Sequence, residues 1–273
     1  MTTAPTRRER QRQATYDEIV EVSRRLLRAG EDVSIRAVAQ EMGLTPPALY
    51  RYVDSHAELM QLVARSIFGD VVAAMVAARD EQPDDDPAAQ IVASAGAFRR
   101  WALGNHEEFQ LAFASPTSAG LKNPATGSPQ PITSLDDCAA EESGAHLFAG
   151  FFSEIFGRLW VRYRFPIPTD DDLDPDVVSV LRGEIAAGQP TQGKLAHGGP
   201  GVGPLGAPTP GMMWMFERSW ARLYGTVTLE VFGHVHPAFI SSGALFRAAM
   251  LDIARELHID HEWDRLQDVV RDS

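Results

Sequence analysis

The sequence predicts an all-α protein: a small N-terminal helical domain followed by a larger helical one. Apolar residues recur at three- and four-residue spacing, and nothing alternates with the two-residue period of a sheet. Clusters of Pro, Gly and Asp break the helical stretches, most clearly EQPDDDP at 81–87. Between Ser34 and Tyr52 two short helical patterns are joined by a tight turn. At 273 residues and 44% hydrophobic content, the chain can bury a real core in one or two domains.

The elements follow in order. Residues 1–13 read as a flexible basic arm, in which Arg7, Arg8, Arg10 and Arg12 meet only Glu9. Such an arm beside a helix-turn-helix can lie along phosphates or in a minor groove, or be a solvated terminus. The stretch from Ser34 to Tyr52 reads as a helix-turn-helix. Val38, Ala39, Gly43, Leu44 and Leu49 form one apolar seam; Ala39 lets a second helix cross closely, and Gly43 suits a left-handed turn. Thr45 is placed to cap a helix from Pro46 to about Tyr52, with Pro46 in the first turn, where its missing N–H costs nothing. The start of that helix points outward, as does the part of a recognition helix that reaches base edges.

A fourth helix runs on through FGDVVAAMVAARD, into a second domain over 68–273. Helices are expected from Ala88 to Leu103, Asn105 to Phe113, Asp136 to about Arg164, Pro175 to Ala187, Met212 to Phe232, and Pro237 to about Leu257. The segment 117–133 reads as a loop and the Gly/Pro-rich 189–210 as a flexible one.

Charge divides the chain. It carries 25 Lys+Arg against 37 Asp+Glu, a net of −12, yet residues 1–65 hold 10 basic and 9 acidic residues. The acidity therefore lies outside the helix-turn-helix, where it would repel DNA. No run of eighteen apolar residues and no apolar signal core occur, so a soluble cytoplasmic protein without a membrane partner is expected. Cys138 is the only cysteine, which excludes an intrachain disulfide. No Gly-rich phosphate loop follows a strand and no Gly-x-Ser-x-Gly turn appears, so catalysis and a cofactor are not expected. The alternative is a metal-binding protein or enzyme using His234 and His236, or His258, Asp260, His261 and Glu262; on a helix, His258 and His261 would share a face suited to Zn²⁺ or Ni²⁺, against the plainer reading of a solvated helix end.

Ile19, Leu26, Leu27 and Gly30, the stretch SIRAVAQEMGLTPPALYRYV and the DSHAELM that opens the fourth helix resemble the DNA-binding domain of the TetR family of bacterial transcriptional regulators, a resemblance that places this domain at 14–67. The resemblance implies that Tyr50 and Tyr52 contact phosphates, with Arg51 between them in the DNA-binding set. It also implies that Ser34 and Arg36 touch phosphate or a base, and that Thr45, Pro47 and Ala48 face bases. His56 stands where the family frequently has a Lys on a phosphate, so that contact is weaker or pH-dependent, and a ligand-binding module with a vestigial reading head is a further alternative. Residues 99–113 and 220–235 resemble the ligand-binding domain of a TetR subfamily marked by a Trp-His-Gly pattern; Trp220 and Gly225 match, while Tyr224 replaces the His. What this implies is a homodimer, usually a repressor, on a palindromic double-stranded operator, released by a small hydrophobic or aromatic effector. Trp101, Phe109, Phe113, Phe152, Phe156, Trp160, Trp214, Trp220 and Tyr224 are the expected pocket lining.

Overall fold

The structure, a computed structural model, describes residues 6–114, 144–188 and 209–272, and among these no strand occurs. They fall into two compact units: 6–68 with 105–114, and 69–104 with 144–188 and 209–272. The loop expected at 117–133, most of that at 189–210, the start of the helix expected from Asp136, and Cys138 lie outside the described residues.

In the first unit, α1 (Arg7–Arg28) begins at a capping box: the Glu9 N–H donates to Thr6 Oγ1 (3.3 Å), and the Glu9 carboxylate accepts the Thr6 N–H at 2.6 Å. The expected basic arm is therefore helical from Arg7 onward. Ser34 caps α2 (Ile35–Glu41) by accepting the Ala37 N–H at 3.2 Å. Gly43 makes the turn at φ +66°, a backbone conformation glycine adopts without steric cost. The next helix, α3, is shorter than expected (Pro46–Leu49), and Thr45 has the extended backbone of a cap without a side-chain cap bond. Val38, Ala39 and Leu49 of the seam are fully buried, as are Ile19 of α1 and, on α4 (His56–Asp80), Leu59, Val63 and Ile67. Leu44, expected in that seam, is 36% exposed. By composition α4 is long and apolar enough to cross a membrane, with a window of mean hydropathy 1.6. Those buried residues show its apolar side used in the core.

The first unit is completed by α6 (His106–Phe109) and a π-helical turn, Gln110–Ala114. Phe109 stacks on Phe113, which meets Phe68 edge-on at 4.9 Å. Glu108 has no exposed surface and accepts both Nε (2.8 Å) and Nη2 (3.0 Å) of Arg24, and Nε of Arg28 (2.8 Å). Burial pushes the Glu108 carboxyl up, but the bonds and charges of Arg24 and Arg28 outweigh it and hold the group below the usual carboxylate range.

In the second unit the alanine-rich α5 (Pro87–Gly104) is buried along most of its length. Small side chains let α7 (Gly144–Tyr163), α9 (Pro210–Val231) and α12 (Trp263–Asp272) all pack against it. Val269 of α12 covers Ala78, Ala93 and Ala97, and Arg265 clasps Asp86. Arg99 ties three helices: its Nε donates to Glu230 at 2.5 Å and its Nη2 to the Ile240 carbonyl at 2.7 Å. α8 (Pro175–Gly188) packs on α9, which starts earlier than expected, with Thr209 as cap and Pro210 in its first turn. The single helix expected over 237–257 is two, α10 (Pro237–Ser242) and α11 (Ala244–Glu256), divided at Gly243, whose φ is +62°.

Candidate nucleic-acid interface and ligand cavity

On the first unit the outward surface of α3 begins with Thr45 and Pro47, both exposed, and Ala48, half-buried. Because Thr45 spends no hydrogen bond on capping, its hydroxyl is available to an external partner. Tyr50 follows at 49% exposure, Arg51 is exposed, and Arg36 projects from the first turn of α2 beside the cap residue Ser34. Arginine and hydroxyl donors around a protruding helix start are the groups that engage phosphate oxygens, while short side chains at its tip reach base edges.

Tyr52 and His56 are differently engaged. The Tyr52 ring meets Tyr16 of α1 edge-on at 5.7 Å, so it ties the segment that follows α3 to α1. His56 Nε2 donates to the Val33 carbonyl at 2.8 Å, joining the start of α4 to the segment before α2.

On the second unit a cavity of about 60 Å³ lies among α5, α7, α9 and α11. Phe152, Phe156 and Trp220 of the expected set line it. Tyr224 stacks on Trp220 at 5.3 Å, and burial raises its phenol above the ordinary value. The other expected residues are not on this wall. Trp160 donates its indole N–H to the Phe165 carbonyl and carries the Arg164 guanidinium over its ring at 4.4 Å. Trp214 sits under Arg218, Trp101 is half-buried on α5, and Phe109 and Phe113 belong to the core of the first unit. The wall adds residues not expected from the sequence: Ile91, Val92 and Ala95 of α5, Phe216, Ser219 and Leu223 of α9, Met250, Ile253 and Ala254 of α11, and Leu257 and Ile259 beyond it. The i, i+3, i+4, i+7 stripe Phe216, Ser219, Trp220, Leu223 was the readable signal for the α9 side.

The histidines do not share a helix face. His258 leaves α11 with φ +55°, His261 sits in a 3₁₀ turn beside Tyr163, and His236 Nδ1 accepts the Ala238 N–H as the cap of α10. Among the described residues no group of three or more His, Cys, Asp or Glu is arranged to hold a metal ion.

Comparison with known proteins agrees with this architecture. Residues 91–253, more than half of the chain, match the model of the tetracycline repressor-like C-terminal domain. The HTH-type transcriptional regulators Rv1816 of Mycobacterium tuberculosis and Mb1846 of Mycobacterium bovis are each 35% identical over 100 residues. That match covers 36% of this chain and 43% of each relative, so it spans less than half of their length. The crystal structure of SCO4313, described as a regulatory protein, shares the fold with a TM-score of 0.57 and 21% identity, over 92% of this chain and 98% of that one. The chain belongs to the TetR family, the tetracycline repressor-like transcriptional regulators.

Proposed function

We propose that the chain is a ligand-responsive repressor that acts in the cytoplasm as a homodimer on a palindromic double-stranded operator. The observation that carries this reading is the outward start of α3, where Thr45 and Pro47 are exposed and the Thr45 hydroxyl is uncommitted. In this reading Thr45, Pro47 and Ala48 read base edges, while Ser34, Arg36, Tyr50 and Arg51 hold phosphates. Tyr52 and His56 act by positioning, through Tyr16 and the Val33 carbonyl.

Dimerisation is supported by Leu229 on α9 and Phe239 on α10, large apolar side chains 42% and 52% exposed, which a second copy would cover. A hydrophobic effector enters the cavity among α5, α7, α9 and α11. It shifts the protein only through a difference in affinity between two states, typically worth about 1–3 kcal/mol. Helix α5 supplies part of the cavity wall and runs by chain into the segment whose Glu108 is locked to Arg24 and Arg28.

Selection from a random duplex library tests the reading. The expected product is a palindrome whose half-sites lie about one helical turn apart. Enrichment of non-palindromic sites, or none, would overturn it.

A further inference from the structure

The cavity wall of the second unit is apolar with one marked exception. Aliphatic side chains and the rings of Phe152, Phe156, Phe216 and Trp220 make up nearly all of it, and among the described residues no ionisable side chain lines it. Ser219 is the exception: its Oγ is shut off from solvent and has no hydrogen-bond partner among the described residues. A buried hydroxyl is normally satisfied, and a serine in a helix ordinarily can turn back to a carbonyl of the preceding turn. Here it does not.

We infer that the cavity takes an uncharged, ring-bearing, mainly hydrocarbon molecule with a single hydrogen-bonding oxygen, which Ser219 anchors. This rests on the ligand-responsive reading above and narrows its ligand class. A carboxylate or ammonium group would lose its hydration on entry and find no counter-charge on the wall. Rings suit the wall because Phe152 and Trp220 lie tilted at 46° with centroids 5.9 Å apart, while Phe156 and Phe216 meet edge-on at 5.7 Å, offering both faces and edges to an aromatic guest. At about 60 Å³ the cavity is smaller than the roughly 150 Å³ apolar cavity that holds benzene. A guest therefore enters by displacing wall side chains, and the half-buried Phe216 with the unbranched thioether of Met250 is the adaptable part. Occupancy thus favours an expanded α9–α11 wall over the contracted one.

Calorimetric titration of the full chain with ethylbenzene, para-ethylphenol and para-ethylbenzoate, which share one skeleton, tests this. The phenol is expected to bind about tenfold more tightly than ethylbenzene, the effect of about one hydrogen bond, and the benzoate not to bind. Ser219→Ala should erase the phenol's advantage and leave ethylbenzene within about twofold, at unchanged circular dichroism. Ile253→Trp should fill the cavity and abolish both. Benzoate binding equal to that of the phenol, a phenol preference retained in Ser219→Ala, or no binding of any probe up to its solubility limit would overturn the inference. DNA binding by the same preparation separates the two readings. DNA binding without probe binding removes the cavity inference alone; probe binding without DNA binding supports it and removes the repressor reading.

Discussion

Replacing Glu108 by Gln would remove the charge that two arginines share inside the first unit. Glu108 is fully buried, and Arg24, only 8% exposed, holds it through two bonds while a third goes to Ser66 Oγ at 3.0 Å. Arg28 is more than half exposed and can return to water, so its loss costs little. Arg24 cannot, and neutralising the charged partner of a buried ion pair costs about 3–5 kcal/mol. An open groove lined by Arg24, Arg25, Arg28 and Arg65 together with Asp17 and Glu21 gives water some access and holds other carboxylates, which places the expected loss near the lower end, about 3 kcal/mol. At about 2–4 °C per kcal/mol, the melting temperature followed by circular dichroism should fall by roughly 6–12 °C. Because the folded carboxyl titrates below its unfolded value of about 4.3, its stabilisation is complete above that pH and is lost as pH falls through the folded value. The difference between wild type and variant should therefore hold from about pH 7 to 5 and begin to close as the pH falls below the unfolded value of about 4.3. Replacing both Arg24 and Glu108 by Leu should recover most of the loss, since an apolar pair removes both desolvation costs. A Glu108→Gln loss under about 1 kcal/mol at pH 7, or one that grows on acidification, would refute the reasoning.

Gly211→Ala should lower the melting temperature, because the added Cβ would lie 2.0 Å from the Pro168 carbonyl oxygen; an unchanged value would mean that the approach of 167–168 to α9 yields freely. Ser34→Ala should cost about 1 kcal/mol in urea unfolding through loss of the α2 cap, whereas Thr45→Ala, which loses no cap bond, should leave stability unchanged and alter operator preference in a binding-site selection. Tyr50→Phe should weaken binding to all duplexes about equally, as loss of a phosphate contact does; altered sequence preference at full affinity would reverse its role.

How much was legible varies with the physics. Local chemistry was readable in part: the Gly43 turn and Pro46 in the first turn of α3 depend on neighbours in sequence, whereas the cap bond expected of Thr45 is not made and the one at Ser34 was not foreseen. The capping box of Thr6 and Glu9 was equally local and outweighs the arginine run that suggested a free arm. The break at Gly243 was hidden because Ser-Ser-Gly can sit inside a helix. Gly243 instead takes the left-handed φ of +62° as the C-cap of α10, and Arg247 and Arg99 lie close by, with Nη1 atoms 3.3 and 3.6 Å from where a Cβ would be. Aromatic character predicted burial well but not location. Phe109 and Phe113 stack in the first unit, Trp160 spends its N–H on a turn, and aliphatic residues from α5 and α11 form much of the cavity wall. Glu108 reads as a surface charge in NHEEF until Arg24, 84 positions away, is brought onto it.

The proposed function stands on sequence-specific DNA binding by α3 and its flanks. Fluorescence anisotropy of the full chain on a selected operator, beside a scrambled duplex and across a range of salt, tests it most directly. Tight binding at two subunits per site or a multiple is expected, selective for the operator and weakening steeply as salt rises. Equal affinity for the operator and the scrambled duplex would contradict it.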